Sequence, residues 1–527
     1  MPDNIELNEQ FKRALDLLEN TDKNVFITGK AGTGKSTLLN YFRSITKKKI
    51  VVLAPTGVAA LNVNGETIHS FFGFKPNVTI ENIKKLSPQK ARIYKELETI
   101  IIDEISMVRA DLLDCIDYFL RINVRNKPFG GIQMVFIGDL YQLPPVVTSG
   151  EKELFTKRYN SQYFFDADVI RDLPLEFIEL EKVYRQKDER FIQLLNEIRN
   201  NTISEESLAL LNSRVGVELP ESSDYIVYLT PLNATVDAIN MEKLNLLKGR
   251  LYRWEAYIEG DFDKSSLPGD PILSLKKGAQ VMMLNNDSKG RWVNGSIGKV
   301  VGISSGKGED EDKIEVQFPD GRIEEVIPYT WEIFHYRYNE EKKLIESETI
   351  GSFTQYPLKL AWAVTIHKSQ GKTFDRVIID LERGVFAPGQ VYVALSRCTS
   401  FEGIVLKKPV KKGHILLDKR IVEFLTRFQY KLSERDIPLE EKIRIINQAI
   451  KEKTPLSIVY LKPNDEKSRR IIQPYEVGEF SYNGKNFLGV YAYCYNRGGD
   501  RVFRVDRILE IEPVKKDAAS SLPRSSQ

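Results

Sequence analysis

The stretch Gly29–Ser36 reads GKAGTGKS and lies between the apolar run Asn24–Thr28 and an amphipathic stretch that begins at Lys35. A strand, a glycine-rich loop of the form GxxxxGK[ST] and a helix, in this order, predict a phosphate-binding loop. The glycines allow backbone N–H groups to turn towards phosphate oxygens, and the N-terminus of the helix adds a favourable dipole. We therefore expect a nucleotide site on a parallel sheet covered by helices.

The side chains of this loop predict ATP and Mg²⁺ as ligands. Lys35 is expected to reach the β and γ phosphates, and Ser36 offers a hydroxyl to magnesium. The residues of the loop expected to surround the nucleotide are Gly29, Ala31, Gly32, Thr33, Gly34, Lys35, Ser36 and Thr37.

Two carboxylates follow a second apolar run, Thr99–Ile102. We expect Asp103 to hold magnesium together with Ser36, and Glu104 to polarise the attacking water. An acidic pair at the end of a strand is common in itself, but a phosphate loop earlier in the same chain favours the catalytic interpretation.

Three further side chains are candidates for the chemistry of phosphoryl transfer. A third apolar run, Met134–Ile137, leads to Gln142, which is expected to contact both the γ phosphate and the water. Arg185 and Arg397 lie later in the chain. Arginines supplied from a facing domain stabilise the charge that develops on the transferred group, so we include both as catalytic candidates.

Alternation of apolar runs with amphipathic stretches predicts two α/β domains. The first spans residues 1–180, with strands expected at Asn24–Thr28, Ile50–Ala54, Thr99–Ile102 and Met134–Ile137. The second spans 181–270 and 352–430. It begins with the helix Phe191–Asn200 and the strand Tyr225–Thr230, and continues through Ala361–Leu406, where a helical pattern precedes the strand Val377–Leu381.

Residues 271–351 have a different sequence pattern, in which short apolar stretches typical of strands are separated by Gly, Asp and Asn turns. This pattern predicts a small β-barrel inserted into the second domain. Its strands are expected at Gly278–Asn285, Gly295–Ile303, Lys313–Phe318 and Arg322–Ile327. Beyond it we expect a charged helical linker at 431–452, a small β domain at 453–515 and a disordered tail at 516–527.

Composition excludes several classes of protein. The 527 residues carry a net charge of +3 and only three cysteines, without metal-ligand spacing, so a disulfide framework and a zinc site are not expected. No apolar run is long enough to cross a membrane, and we expect a cytoplasmic protein without a membrane partner. From Phe401 onwards the chain has 25 basic and 17 acidic residues, or +8, which leaves −5 for the rest.

At this point the chain closely resembles the petite-integration-frequency (PIF) family of DNA helicases, in the RecD-like branch of superfamily 1. The resemblance runs from about Leu7 to Lys407 and consists of a series of motifs in the order typical of the family. Beyond the phosphate loop, the matching stretches are Leu7–Gln10, Ala54–Ala60, Thr67–Phe71, Asp103–Ser106, Gly138–Pro145, Tyr184–Arg185, Thr365–Gly371 and Tyr392–Arg397.

The resemblance implies two RecA-like P-loop motor domains that enclose ATP, with an SH3-like barrel inserted in the second. Gln10 would recognise the adenine, Gly371 would contact the nucleotide, and Arg185 and Arg397 would complete the site from the second domain. The family moves 5' to 3' on DNA, and residues 71–95 would correspond to its strand-separating insertion.

The same resemblance implies single-stranded DNA and its junctions with duplex as partners, with G-quadruplex DNA as a further candidate. The side chains expected to contact DNA are Thr56, His69, Ser70, His367, Lys368, Ser369 and Gln370. It also implies a monomeric motor of bacterial origin with a role in DNA repair, recombination or telomere and genome maintenance.

The C-terminal region resembles the WYL-type domain, a small SH3-like β fold, although Phe487–Gly489 replaces the Trp-Tyr-Leu triad. We expect an anion-binding surface for a nucleotide or single-stranded DNA, formed by Arg470, Arg501, Arg504 and Arg507. Arg501 and Arg504 are three residues apart, so a regular strand would place them on opposite faces. An ordinary basic β surface remains the alternative.

Two other functions are open on the sequence alone. The protein could be a translocase that displaces proteins from single strands without strong unwinding. It could instead be a regulator whose conformation is set by ATP and whose WYL-like module senses a nucleotide ligand. No second cluster of histidines and carboxylates suggests a nuclease, and we expect no intrinsic nuclease activity.

Overall fold

The structure is a computed structural model that describes residues 8–75, 78–147, 151, 155, 158–218, 225–260, 267–304, 312–339, 341–342, 344–381, 384–385, 387–482 and 484–514. The chain divides into two compact units, Met1–Leu417 and Asp418–Gln527. The expected disordered tail at 516–527 lies outside the described residues. Among the described helices, none has both the length and the apolar character that a membrane span requires.

The described helices begin and end as follows: α1 Glu9–Asn20, α2 Lys35–Ile45, α3 Gly57–Asn62, α4 Ile68–Phe72, α5 Arg92–Glu96, α6 Ala110–Asn123, α7 Glu189–Arg199, α8 Glu205–Asn212, α9 Asn233–Leu246, α10 Gln390–Leu395, α11 Lys419–Asp436 and α12 Leu439–Glu452.

The described strands are β1 Asn24–Gly29, β2 Ile50–Ala54, β3 Glu66–Thr67, β4 Thr99–Ile102, β5 Gln133–Ile137, β6 Leu175–Leu180, β7 Val227–Thr230, β8 Tyr252–Glu255, β9 Tyr257–Gly260, β10 Ile272–Leu275, β11 Gln280–Met283, β12 Ile297–Ser304, β13 Lys313–Gln317, β14 Ile323–Val326, β15 Tyr329–Asn339, β16 Leu344–Gln355, β17 Leu358–Leu360, β18 Ala363–Thr365, β19 Val377–Ile379, β20 Ile404–Leu406, β21 Leu456–Leu461, β22 Lys467–Tyr482, β23 Lys485–Cys494, β24 Gly499–Arg504 and β25 Ile508–Pro513.

The first lobe is a six-stranded parallel sheet, in the order β3-β2-β4-β5-β1-β6, together with its helices. Its central strands are buried on both faces, which explains why they appear in the sequence as unbroken apolar runs. In register, Ile27 of β1 lies beside Ile137 of β5 and Ile178 of β6. The carboxyl ends of these strands therefore meet at one edge of the sheet.

The second lobe is a four-stranded parallel sheet, in the order β18-β7-β19-β20, with helices α7 to α10. The helix expected before Val377 is wrong. Ala363–Thr365 is a strand beside β7, and a series of turns follows it through Gly371. Val364 and Ile366 are buried in the lobe's core, so tertiary packing overrides their helical spacing, and Gly371 has a φ of 79°.

The region inserted into the second lobe contains a five-stranded antiparallel sheet, in the order β14-β13-β12-β11-β17. Val281, Val300 and Val316 fill its core. A long hairpin of β15 and β16 forms a separate sheet with β9 and was not expected. The aromatic stretch Tyr329–Tyr338 is the first strand of this hairpin.

The C-terminal unit is a five-stranded antiparallel sheet, in the order β24-β23-β22-β21-β25, together with α11 and α12. The segment 431–452 is helical as expected, but it is not a solvated linker. Ile446 and Ala449 of α12 are buried in the same core as Ile458 and Val490 of the sheet. Charged residues such as Glu440 and Arg444 are exposed, as in other amphipathic helices, whereas Lys442 is buried and its Nζ donates to the Ser433 hydroxyl at 2.8 Å.

Candidate active site

The phosphate loop joins β1 to α2 with a backbone that only glycine adopts without strain. Gly32 and Gly34 have φ values of 81° and 87°, and a Cβ at Gly32 would lie 2.6 Å from Cβ of Arg185. The close approach shows why this position needs a residue without a side chain. It also shows that the loop is packed directly against the segment that carries Arg185.

Lys35 begins α2 and points back into the loop. Its Nζ donates hydrogen bonds to the carbonyl oxygens of Gly29 at 2.7 Å and Lys30 at 3.1 Å. Burial lowers the pKa of Lys35, while Asp139, Glu104 and Asp103 oppose this effect. The ammonium group is thus held within the loop by neutral acceptors and is available to phosphate oxygens.

Asp103 and Glu104 follow β4 at the carboxyl edge of the first sheet. Burial raises the pKa of Asp103. Burial, and then the neighbouring Asp103, raise the pKa of Glu104 to about 7. Glu104 also has a left-handed backbone, with φ at 51°, and such strain at a non-glycine residue is typical of functional positions. A carboxylate of this kind is suited to accept a proton from water.

Gln142 lies after β5 and faces the same cavity as Glu104. Its Nε2 lies 3.4 Å from Oδ2 of Asp139, and Asp139 forms a buried ion pair with Arg199 at 3.4 Å. The guanidinium of Arg199 also stacks on the Tyr141 ring, 3.7 Å from its centroid.

Arg199 and Tyr392 contribute to this site and were not predicted, and the same is true of Phe11, Tyr184 and Thr373 of the cavity lining. Arg199 ends α7 of the second lobe and reaches Asp139 of the first. The backbone N–H of Ala31 donates a hydrogen bond of 3.0 Å to the Tyr392 hydroxyl. Both contacts join the lobes. The position of Tyr392 within a motif was the one available signal, and for Arg199 there was none.

Arg185 and Arg397 reach the cavity from the side of the second lobe, as proposed for catalytic arginines. Arg185 donates to the carbonyl oxygens of Ser396 at 3.1 Å and Gly371 at 3.5 Å. Arg397 is 1% exposed and donates to the Ser396 hydroxyl at 2.9 Å. Burial, and then the nearby Arg185, lower the pKa of Arg397 to about 9.

Within the described chain, neither arginine forms an ion pair with a carboxylate. The other acceptors of Arg397 are the carbonyl oxygens of Val393, Ser369 and Lys372. A buried cation next to a half-buried one, neither with a carboxylate partner, is unfavourable unless an anion binds between them. The arrangement is therefore suited to a polyphosphate.

The cavity between the lobes has a volume of about 550 Å³. Its lining consists of Phe11, Ala31, Gly32, Thr33, Gly34, Lys35, Ser36, Thr37, Glu104, Gln142, Tyr184, Arg185, Gly371, Thr373 and Arg397. Gln10, expected to contact adenine, is outside this lining, and its Oε1 accepts a 3.2 Å hydrogen bond from the Glu181 backbone. The aromatic side chains in the lining are Phe11 and Tyr184, which offer surfaces on which a base could stack.

The donors present fit a magnesium ion that is held mainly by substrate. Ser36 lines the cavity, and Asp103 is a buried carboxylate that directly follows β4. Mg²⁺ is usually bound by one or two protein oxygens, with phosphate oxygens and waters completing its shell. No cluster of three or more His, Cys, Asp or Glu side chains occurs in the part of the chain described here.

The expected DNA contacts of the first lobe lie at the ends of β2 and β3. Thr56 is exposed and caps α3 by accepting a 3.2 Å hydrogen bond from Ala59 N–H. His69 and Ser70 lie in α4 and are half-buried, and burial lowers the pKa of His69. The Ser70 hydroxyl hydrogen-bonds to the buried Glu66.

The turn after β18 divides the expected DNA contacts of the second lobe into two groups. Lys368 is exposed and His367 is half-buried, with its pKa lowered by burial. Ser369 is 0% exposed, and its hydroxyl donates to the Ile366 carbonyl at 2.7 Å, so it is not available to DNA. Gln370 is half-buried, and its amide contacts Glu104 and Gln142, two residues that line the ATP cavity.

The expected strand-separating segment, 71–95, packs against the inserted hairpin. Rings of Phe71, Phe72, Tyr94 and Phe119 form a cluster with centroid distances of 4.8 to 5.9 Å. Tyr336 of β15 joins it, 5.9 Å from Phe71. The segment therefore packs against α6 on one side and against β15 on the other.

The C-terminal unit has a basic cavity of about 460 Å³. It is lined by Tyr460, Lys462, Ser468, Arg470, Cys494, Arg497, Arg501, Val502 and Phe503. Arg470 and Arg501 are thus brought together, and Arg497 and Lys462 join them without having been predicted. Arg504 and Arg507 are not in this lining, and Arg504 pairs instead with Asp506 at 2.6 Å. The alternation of side chains along β24 places Arg504 on the other face.

We expect Gly32→Ala to lower kcat/KM for ATP at least about tenfold. The added Cβ would meet Arg185 at 2.6 Å and would also strain a backbone with φ at 81°. Separation of the loop from Arg185 by 1 Å misplaces reacting groups, an error that costs up to about 10²-fold. Steady-state ATP hydrolysis measures the effect.

Gly216→Ala is the matched control for this variant. Gly216 has a φ of 64°, but its Cβ would meet nothing within 4 Å. Backbone strain alone costs about 1 kcal/mol, so this variant should keep its ATPase activity. Equal losses in both variants would contradict the role given to the Gly32–Arg185 contact.

Comparisons with known proteins agree with this geometry. Residues 5–208 match the family described as PIF1-like helicase, and residues 441–513 match the WYL domain. The ATP-dependent DNA helicase Pif1 of Bdellovibrio bacteriovorus is 33% identical over 441 residues, which cover 81% of this chain and 93% of that protein. Human ATP-dependent DNA helicase PIF1 is 36% identical over 392 residues, 72% of this chain, and the match spans 58% of the human protein.

Solved structures give the same result. Bacteroides sp. Pif1 in complex with ADP-AlF4 has a TM-score of 0.73 and 39% identity, covering 80% of this chain and 96% of that one. Bacteroides Pif1 bound to single-stranded DNA has a TM-score of 0.58 and 38% identity, covering 83% and 98%. With its P-loop site between two parallel sheets, the chain belongs to the PIF1-like family of ATP-dependent DNA helicases and carries a C-terminal WYL domain.

Proposed function

We propose that this chain hydrolyses Mg²⁺-ATP to move 5' to 3' along single-stranded DNA and to separate strands at the junction with duplex. The observation that carries the proposal is the cavity lined by Lys35 and Glu104 of one lobe and by Arg397 of the other. A site shared by two lobes is opened or closed by its ligand, and this converts ATP turnover into relative movement.

The residues have distinct roles in hydrolysis. Lys35 binds the β and γ phosphates, and Glu104 accepts a proton from the water that attacks the γ phosphorus. Arg185 and Arg397 stabilise the charge on the transferred group, and Gln142 orients the water. Ser36 and Asp103 would hold magnesium, which would neutralise phosphate charge.

DNA as the partner is supported by the site and by the relatives. The Bacteroides protein has been solved bound to single-stranded DNA and at forked DNA. In this chain Thr56, His69, Ser70, His367 and Lys368 are expected DNA contacts that are exposed or half-buried at the strand ends. Neutral histidines and a hydroxyl suit a motor that must release each phosphate, since every neutralised phosphate adds affinity. G-quadruplex DNA and a monomeric state remain part of the proposal.

The experiment is an unwinding and ATPase assay on duplexes with either a 5' or a 3' single-stranded tail. We expect DNA-stimulated hydrolysis with both tails and unwinding from the 5' tail alone. Displacement of streptavidin without strand separation would favour the remodelling translocase. Hydrolysis that DNA does not stimulate, but that a nucleotide ligand does, would favour the regulator.

We further propose that the C-terminal unit contacts single-stranded DNA through its basic cavity. Lys462, Arg470, Arg497 and Arg501 surround a space of about 460 Å³. Among the described residues, neither Arg497 nor Arg501 has a carboxylate partner. Lys462 forms an ion pair with Glu466 at 2.8 Å, which leaves the three arginines to attract phosphate, and the unit also lies within the part of the chain that carries +8.

Replacing both Arg470 and Arg501 with Ala should lower the affinity for single-stranded DNA. It should also make that affinity less dependent on salt concentration. The plot of log K against log salt should flatten by about 1.4, or about 0.7 for each lost phosphate contact. Fluorescence anisotropy at several salt concentrations measures both quantities. Arg504→Ala, which removes an arginine outside the cavity, is the control, and an equal effect in that variant would contradict the assignment to the cavity.

A further inference from the structure

We propose that Gln370 is a positioning residue for ATP hydrolysis and not a contact to DNA. Its side-chain amide holds the general base Glu104 and the water-orienting Gln142 in a fixed relation to each other. The inference rests on the proposed function, because it assigns a role to Gln370 within the ATPase site of that motor.

The geometry places one amide against two residues of the site. Nε2 of Gln370 lies 3.2 Å from Oε2 of Glu104 and 2.9 Å from Oε1 of Gln142. An amide nitrogen has two hydrogens, so both hydrogen bonds are satisfied by one group. The amide comes from the turn after β18 of the second lobe, whereas its two partners follow β4 and β5 of the first.

Gln370 acts through its partners because it does not itself face the nucleotide. The lining of the ATP cavity includes Glu104 and Gln142 but not Gln370. One oxygen of Glu104 is engaged by Gln370, and this leaves the other available to a water. The orientation of Gln142 is restricted from both ends, since its Nε2 lies 3.4 Å from Asp139. Such restraint keeps reacting groups within the narrow geometry that hydrolysis needs.

The turn that carries Gln370 also presents Lys368 to solvent. It is closed by hydrogen bonds from Gln370 N–H to the His367 carbonyl at 3.2 Å and from Ser369 N–H to the Thr365 carbonyl at 2.9 Å. The buried Ser369 hydroxyl adds a bond to Ile366. If bound single-stranded DNA displaced Lys368, the hydrogen-bonded turn would therefore also shift the Gln370 amide. This gives DNA a short physical route to the catalytic groups.

The test compares Gln370→Ala and Gln370→Glu with the wild-type chain. At saturating single-stranded DNA we expect kcat for ATP to fall about tenfold or more, with KM changed less than about twofold. Gln370→Glu has the shape of the original side chain but places a carboxylate against Glu104, so its kcat should fall at least as far as in Gln370→Ala. Affinity for single-stranded DNA without nucleotide, measured by anisotropy, should stay within about twofold in both.

Gln193→Ala is the matched control, because Gln193 is an exposed amide on α7 that pairs with Glu197 at 3.1 Å. Wild-type kcat in both Gln370 variants, or loss of DNA affinity with unchanged kcat, would overturn the proposal. If DNA fails to stimulate hydrolysis in the wild-type chain, the proposed function itself is contradicted. Active wild type with unaffected Gln370 variants contradicts only the positioning role.

Discussion

Lys35→Ala is expected to reduce the rate of ATP hydrolysis by about 10³-fold, the upper range for loss of one preorganised electrostatic contact. Nζ of Lys35 is held by the carbonyl oxygens of Gly29 and Lys30 at 2.7 and 3.1 Å, inside the loop that cradles phosphate. No other lysine lines the ATP cavity among the described residues. Release of phosphate under saturating ATP and DNA measures the effect, and unwinding should be lost with it.

The same variant should still bind single-stranded DNA, because Lys35 lines the ATP cavity and is not among the side chains proposed to contact DNA. The fold should also persist, since burial lowers the pKa of Lys35 and its removal relieves that cost. Lys243→Ala, which changes an exposed lysine on α9, is the control and should leave hydrolysis unchanged. Unwinding at the wild-type rate in Lys35→Ala would contradict the proposed mechanism.

Local signals in the sequence were sufficient for four of the six strands of the first lobe, whereas β3 and β6 were not predicted. Each central strand is an apolar run that becomes buried on both faces, and Asn24–Gly29, Ile50–Ala54 and Thr99–Ile102 differ from the expected bounds by at most one residue. The phosphate loop is equally local, because its glycines and Lys35 lie within eight consecutive residues. Such features need no knowledge of distant contacts.

Contacts between distant segments were beyond what the sequence could predict. Arg199 pairs with Asp139, 60 residues earlier, and Tyr392 accepts from Ala31, 361 residues earlier. In the turn after β18, Lys368 is exposed whereas the Gln370 amide contacts Glu104 and Gln142. The sequence suggested only that His367 to Gln370 contact DNA and that Gly371 contacts the nucleotide. The predicted helix before Val377 failed for the same reason, since a neighbouring strand and not local spacing determines its conformation.

In the C-terminal unit, the sequence likewise could not predict which basic residues come together. The net charge of +8 beyond Phe401 was evident from composition, but composition does not say which cations converge. Pairing with Asp506 removes Arg504 from the candidate set, and the strand register brings Arg497 and Arg501 to one opening. The spacing argument against Arg501 and Arg504 sharing a face agrees with this arrangement.

The largest effect on hydrolysis from the second lobe is expected for Arg397→Ala, with kcat lowered by about 10³-fold or more, the range for an arginine that stabilises a transferring phosphoryl group. Arg397 is 1% exposed and faces the cavity without a carboxylate partner in the described chain. Arg185→Ala should have a similar but smaller effect, because Arg185 is less buried and binds two carbonyl oxygens. ATP binding should persist in both.

Steady-state kcat and the Kd for a fluorescent ATP analogue separate these two effects, because loss of a contact made only in the transition state lowers kcat without weakening binding. Arg397→Lys tests whether charge alone is sufficient. Lysine lacks the planar fork that donates to Val393 and Ser396, so kcat should recover only in part. Arg190→Ala, an exposed arginine on α7, is the control for loss of a positive charge. Normal turnover in both alanine variants would contradict a catalytic role for the arginines. If Arg397→Ala does not fold, Arg185→Ala and Arg397→Lys decide that role.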